Sequence, residues 1–248
     1  IAITGSTGFV GTALVERMLR SVPDCELVLL VRDGKRTPAT QRTQREILKN
    51  NAFDRLRKSH GTPDATETFT EMTNRRIITI AGDVSRDGLG LNEADRAIFA
   101  SCSTVIHSAA AVSFDSPLDS AVEINLLGPV RIAELCNQLE VKPHIVAVST
   151  CYVAGNRRGR APEELVSEGP WDIGLDWRNE VASARRLKGD TEAISRSRDN
   201  LERFRKEARS ELGAAGAPAL AAKTEQIRER WVRAELVDAG RSRAADYP

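Results

Sequence analysis

Cysteine is scarce: Cys25, Cys102, Cys136 and Cys151 are the only four in 248 residues. They form no C-x-x-C pair and lie mostly in apolar runs, so they read as small buried hydrophobes in a reducing, cytoplasmic setting. An excess of one charge is missing too. Thirty-six Lys+Arg against 35 Asp+Glu leave +1, which gives no electrostatic reason for a nucleic-acid or anionic-membrane partner. No apolar run is long enough to span a bilayer, and no charged n-region precedes an h-region. No metal site is assigned. The chain lacks an initiating Met, Ile1 already lies in a strand, and Asp246-Tyr247-Pro248 carries no terminating signal. It is therefore expected to be an internal piece of a longer protein. Its length still allows a sizeable core, in one large or two modest domains.

What is present begins at once. Ile1-Ala-Ile-Thr-Gly5-Ser-Thr-Gly8-Phe-Val-Gly11 is a short apolar strand running into a glycine turn and then a helix. Gly5 permits the tight turn, Gly8 lets the backbone approach phosphates, and Gly11 lets the helix pack closely. The free N–H groups at the helix start then face a dinucleotide pyrophosphate. The spacing, G-x-x-G-x-x-G, is one residue longer in its first step than the common G-x-G-x-x-G. A purely structural turn is the alternative. The strand before it and the amphipathic run after it (Val10, Leu14, Met18) supply the context that favours a cofactor.

Apolar strand runs recur at Leu27–Val31, Ile77–Ile80, Thr104–His107 and Ile145–Val148, with helical spacing over Glu93–Ala100 and Val122–Leu139. This alternation predicts βαβ units and an α/β, Rossmann-type doubly wound parallel sheet, with ligands at the carboxyl ends of its strands. Residues 35–75 read as a polar insertion with one short helical stretch, Thr43–Leu56. Residues 156–246 carry mixed charge. Ile194, Leu201, Phe204, Ala208 and Leu212 mark one amphipathic helix there, and Ile227, Trp231 and Ala234 another, with the turn at 213–218. An inserted helical hairpin over residues 190–237 with a narrow apolar seam is expected. It serves either as a solvated surface or as a cap over the active site.

Four places carry chemistry. Arg32 follows the second strand directly, where an arginine accommodates a 2′-phosphate and a carboxylate would hold a ribose 2′-OH. Asp33 could be that carboxylate in a shifted register, but Lys35 and Arg36 make the local field positive and favour NADP. Asp83, in Gly82-Asp83-Val84, suits either an acceptor for the adenine amino group or a turn. Small residues in His107-Ser108-Ala109-Ala110-Ala111 leave room for the cofactor ribose. His107 is a proton carrier or a satisfied structural histidine. Ser149-Thr150 ends the fifth strand beside the expected nicotinamide, where a hydroxyl could polarise a carbonyl or merely cap a strand.

Several runs then occur in a telling order: Thr4-Gly-Ser-Thr-Gly-Phe-Val-Gly11, Leu30-Val-Arg32, Ala81-Gly-Asp-Val-Ser85, Val105-Ile-His-Ser-Ala-Ala-Ala-Val-Ser-Phe-Asp115, Pro117-Leu-Asp119, Glu123-Ile-Asn-Leu-Leu-Gly128 and Val148-Ser-Thr-Cys-Tyr-Val153. Together they resemble the extended short-chain dehydrogenase/reductase superfamily, and within it the fatty acyl-CoA reductases and related thioester-reductase domains. The likeness is close over residues 1–155, taken as an NADP-binding core, and loose over 156–248. It implies NADPH-dependent reduction of a fatty acyl-CoA or acyl-carrier thioester to aldehyde or alcohol. By position it places Gly5, Thr7, Gly8 and Gly11, with Phe9 and Val10 between them, at the pyrophosphate. It also places Arg32 at the 2′-phosphate, Asp83 and Val84 at the adenine, and Ser108, Ala109 and Ala110 beside the ribose. Thr150 would be the hydroxyl member of a Ser/Thr-Tyr-Lys set. The family's Tyr-x-x-x-Lys is not matched: Tyr152 is followed four residues later by Asn156, and Tyr247 stands too near the last residue. This chain is accordingly expected to be inactive alone. A non-catalytic dinucleotide-binding sensor or scaffold is the alternative from another class.

Overall fold

A computed structural model describes residues 1–113, 115–150, 159–160, 162–165, 168, 174–213 and 216–245. Among the described residues the strands are β1 (Ala2–Thr4), β2 (Leu27–Val31), β3 (Ile77–Ala81), β4 (Thr104–His107) and β5 (His144–Ala147). They lie in the order β3-β2-β1-β4-β5, and every pairing is parallel. The expected doubly wound sheet is the one observed, with β5 one residue earlier than its apolar run.

Alternation along the strands divides the core in two, because successive side chains point to opposite faces. Ala2, Val28, Leu30, Ile80 and Val105 face one way and pack with Phe99, Ile132, Leu135, Cys102 and Cys136. These come from α5 (Glu93–Ala100) and α7 (Leu127–Gln138) and the turn after α5. Burial pushes both thiols up from their ordinary range, as expected of cysteines packed as hydrophobes. Ile3, Leu27, Leu29, Val31 and Ile106 face the other way, onto α1 (Phe9–Ser21) through Val15 and Leu19.

Residues 35–75 help to cover that second face. The continuous helix expected over Thr43–Leu56 is broken into pieces: α2 (Ala39–Arg42), a π-helical stretch Thr43–Leu48, a 3-10 turn Asn51–Phe53, and α3 (Asp54–Ser59). Asn50 interrupts it, its side-chain oxygen accepting from the Ala52 N–H. Helix α4 (Phe69–Arg76) follows, opened by a Thr68/Glu71 capping box. Ile47, Leu48, Phe53, Leu56 and Met72 are all buried in the second core. Buried Arg76 ends α4 by donating to the Leu19, Val22 and Cys25 carbonyls, so a cation closes the C-terminus of α1.

The chain divides into two compact units, residues 1–110 with 123–149, and residues 111–122 with 150–248. The second contains α6 (Leu118–Ala121), α8 (Trp177–Ser195), α9 (Arg198–Leu212) and α10 (Ala217–Ala245). The hairpin is present but is joined by a third helix. Pairs Glu211–Lys223, Glu207–Arg230 and Phe204–Trp231 run in opposite chain directions, so α9 and α10 are antiparallel. The seam is Phe204, Ala208 and Ile227, with Leu220 and Trp231 against it. Ile194 is a correction: it is exposed near the end of α8, and Ser197 caps α9 after it. Within this unit Lys188 pairs with buried Asp119 at 2.6 Å, Arg241 pairs with Asp115, and Gly240 packs on Leu118. No helix among the described residues is long and apolar enough to cross a membrane.

Candidate functional site

Strand order reverses between β1 and β4, and a cleft opens there at the carboxyl ends of the strands, where doubly wound sheets hold their ligands. It is lined by Gly5, Thr7 and Gly8 after β1, Leu30, Val31 and Arg32 of β2 and its end, Asp83 and Val84 after β3, and Ser108, Ala109 and Ala110 after β4, with Arg42 and Ile124.

The glycine turn is built by close approach. Gly5 has φ +74°, and a Cβ on it would lie 2.5 Å from the Ala109 nitrogen. A Cβ on Gly11 would lie 2.1 Å from the Gly5 carbonyl oxygen, so Gly11 seats α1 on the turn itself. Gly8 has an ordinary extended backbone and a single near neighbour at 3.2 Å. Its N–H donates to the Gly5 carbonyl, and the Thr12 hydroxyl donates to that of Ser6. Helix α1 has no side-chain cap and no acidic residue in its first turn. Its leading N–H groups and positive dipole end therefore receive no acceptor from this helix's own side chains.

At the far end of the cleft Arg32 is mostly exposed, with Nη1 3.9 Å from Asp83 Oδ2. Asp33 is not among the residues that line the cleft; its carboxylate Oδ1 accepts from the Ala39 N–H at 2.8 Å and starts α2. Arg42, from the end of α2, donates to the Arg32 carbonyl at 2.7 Å and holds Glu46 with a two-pronged contact at 2.8 and 2.7 Å. The hydrogen bond from Arg42 lowers the Glu46 carboxyl below its ordinary range. Asp83 uses Oδ1 to accept from the Ser85 N–H and hydroxyl, and its own N–H donates to the Leu89 carbonyl.

The end of β4 is stitched to β1. The Ser108 N–H and hydroxyl both donate to the Thr4 carbonyl, and the Ala109 N–H donates to the Thr4 hydroxyl oxygen. His107, opposite Thr4 in the sheet, is buried with Nδ1 2.7 Å from that hydroxyl. Burial pushes the imidazole below its ordinary value. Its Nδ1 contact to Thr4 and its burial fit a structural histidine of the sheet.

Of the residues singled out in the sequence, Gly5, Thr7, Gly8, Arg32, Asp83, Val84, Ser108, Ala109 and Ala110 meet in one cleft. Gly11 lies buried beneath it, while Phe9 and Val10 protrude into solvent at the start of α1. Thr150 is exposed just past β5, in the second unit. Phe114, Cys151, Tyr152, Val153 and Tyr247 lie outside the described residues. Leu30, Val31, Arg42 and Ile124 were not singled out. The signal for Arg42 is its place on the first helical turn after the arginine that follows β2.

A family model described as "Male sterility protein" matches residues 3–210. Fatty acyl-CoA reductase 2, chloroplastic, of Arabidopsis thaliana is 30% identical over 203 residues, covering 79% of this chain and 30% of the relative. Fatty acyl-CoA reductase 1 of Mus musculus is 34% identical over 159 residues, covering 64% of this chain and 29% of the relative. The chain thus matches less than a third of these relatives' length. Among solved structures, the terminal R domain of the myxalamid PKS-NRPS biosynthetic pathway shares the fold, with a TM-score of 0.50 at 24% identity. That match covers 77% of this chain and 45% of the R domain.

Proposed function

The chain belongs to the Male sterility protein family, and on that premise we propose that it is the cofactor-binding part of an NADPH-dependent reductase of fatty acyl-CoA or another acyl thioester. One observation carries the reading: a single cleft joins an uncapped helix N-terminus to two arginines, at the point where strand order reverses. That donor set fits a molecule with a pyrophosphate at one end and a further phosphate at the other. The first N–H groups of α1 would hold the pyrophosphate. Arg32 would hold the 2′-phosphate, joined by Arg42 if its fork turns from Glu46. Asp83 Oδ2 would accept from the adenine amino group between Val84 and Ile124. Ser108, Ala109 and Ala110 leave room for ribose.

Bound NADPH supplies the hydride, and the net change consumes NADPH and a proton while the thioester yields aldehyde and free thiol. By the resemblance, Thr150 would be the hydroxyl that hydrogen-bonds the carbonyl oxygen, where charge gathers. It is too weak an acid to protonate that oxygen unaided, and the 248 residues contain no Tyr-x-x-x-Lys to do so. The chain alone is therefore expected to bind cofactor without turnover.

The test is NADPH oxidation with a long-chain acyl-CoA, run on this chain and on a longer polypeptide that also carries Tyr-x-x-x-Lys. Turnover by the longer form only is expected, with Thr150→Ala lowering its kcat by about 100-fold. Turnover by this chain within tenfold of the longer form would refute the division of labour. Cofactor binding without acyl-CoA-dependent oxidation by either would favour the sensor.

A further inference from the structure

Arg131 is a charged side chain buried in the first unit for which the cleft chemistry gives no role. It projects from the second turn of α7 with its side chain 6% exposed. Nε donates to Asp87 Oδ1 at 3.0 Å, and Nη1 donates to the Glu123 carbonyl at 2.9 Å and reaches the Val84 carbonyl at 3.5 Å. Nη2 donates to the Glu123 carboxylate. Burial opposes its charge, but Glu123 and Asp87 outweigh burial and raise its pKa.

Those partners belong to, or adjoin, two separate segments that line the cleft. Val84 lines it from the loop after β3, and Asp87 is three residues further along that loop. Glu123 immediately precedes Ile124, which lines the cleft from a separate segment of the chain. The loop also needs bracing. Gly88, Leu89 and Gly90 have φ of +58°, +57° and +63°, and a leucine in that region persists only where its surroundings enforce it. Leu89 is fully buried, and its carbonyl accepts from the Asp83 N–H at 2.8 Å. The position of Asp83 therefore depends on the loop that Arg131 grips.

We propose that Arg131 is a positioning residue for the adenine end of the cleft, a buried cross-brace that fixes the Asp83–Val84 segment against the Glu123–Ile124 segment without itself lining the cleft. This rests on the cofactor reading above. The planar fork is what the geometry requires, since three separate acceptors in different directions are bound at once; a lysine keeps the charge but not the reach.

The experiment titrates the full chain with NADPH and with its analogue carrying hypoxanthine in place of adenine, which lacks the amino group from which Asp83 would accept a hydrogen bond. Wild type is expected to favour NADPH by about tenfold. Arg131→Lys and Arg131→Met should bring that preference below about threefold, while affinity for the analogue changes little. Asp87→Asn should fall between, because the Asp87 side chain is 97% exposed and its loss leaves the core intact. A role confined to stability would shift the unfolding midpoint and leave the preference unchanged. A wild-type preference in folded Arg131→Lys therefore overturns the assignment, as does a wild type with no preference. If Arg131→Met does not fold, Arg131→Lys and Asp87→Asn decide. Failure of wild type to bind either compound removes the cofactor reading, and Arg131's role with it. Binding with an unchanged preference in the variants removes the role of Arg131 alone.

Discussion

The three glycines of the first turn should separate into two that hold the fold and one that faces the ligand. Gly11→Ala places a methyl 2.1 Å from the Gly5 oxygen, 2.7 Å from the Gly5 carbonyl carbon and 2.8 Å from the Ser6 Cα. All three neighbours are backbone, so no flexible side chain can give way, and the cost should reach the upper end of the roughly 1–3 kcal/mol of overpacking. Gly5→Ala adds the left-handed backbone to a clash with Ser108 and Ala109, for a total of roughly 2–5 kcal/mol. Gly8→Ala meets one atom at 3.2 Å with φ −83°. The smaller unfolded-state entropy of alanine offsets the tight contact and the poorer helix start, leaving a change within about 1 kcal/mol. The same methyl would stand where the pyrophosphate approaches, and NADPH affinity should drop at least about tenfold. Urea denaturation followed by circular dichroism, with cofactor fluorescence titration on the folded variants, measures both quantities. A Gly8→Ala variant as unstable as Gly5→Ala, or one that binds NADPH like wild type, would refute this division.

Other outcomes follow from the same geometry. Arg32→Ala should cost NADPH about 10- to 150-fold in affinity, the range of a charge-assisted hydrogen bond, and leave NADH nearly unchanged; an equal loss for both would place the 2′-phosphate elsewhere. Burial pushes the folded His107 pKa below the unfolded 6.5, so the unfolded chain takes up the proton first. Stability should be complete above that value and fall as pH drops below it, by up to about 1.4 kcal/mol per pH unit; thermal unfolding of wild type and His107→Gln from pH 7.5 to 5 checks that the histidine variant lacks this component. Arg76→Met leaves the Leu19, Val22 and Cys25 carbonyls without their donor and should destabilise by about 3 kcal/mol, without changing NADPH affinity in the folded protein; an unchanged denaturation midpoint would contradict the cap.

The parts of this molecule that short-range pattern controls were legible in the sequence. Leu27–Val31 is apolar throughout because β2 is buried on both faces, and Glu93–Ala100 begins and ends as its spacing indicates. The cleft residues after β1, β3 and β4 follow from knowing where parallel strands end. What escaped depended on contacts between distant residues or on caps within a continuing period. Ile194 keeps helical spacing with Leu201, but Ser197 starts a new helix between them. Helix α4 is polar enough to pass for loop, although Thr68 and Glu71 are its capping box and Met72, Thr73 and Arg76 are buried. The sequence leaves Asp33 as a possible ribose carboxylate, and its bond to the Ala39 N–H comes from a fold-back six residues long that no strand pattern records. Arg42 and Arg131 matter because of what lies ten and 44 residues away, which no local period records.

The central claim is that this cleft holds NADPH, and direct calorimetric titration of the 248-residue chain tests it. The account predicts one site per chain, tighter binding of NADPH than of NADH, and displacement of NADPH by adenosine 2′,5′-bisphosphate. No saturable NADPH binding, or binding that Gly8→Ala and Arg32→Ala together leave at the wild-type affinity, would contradict it.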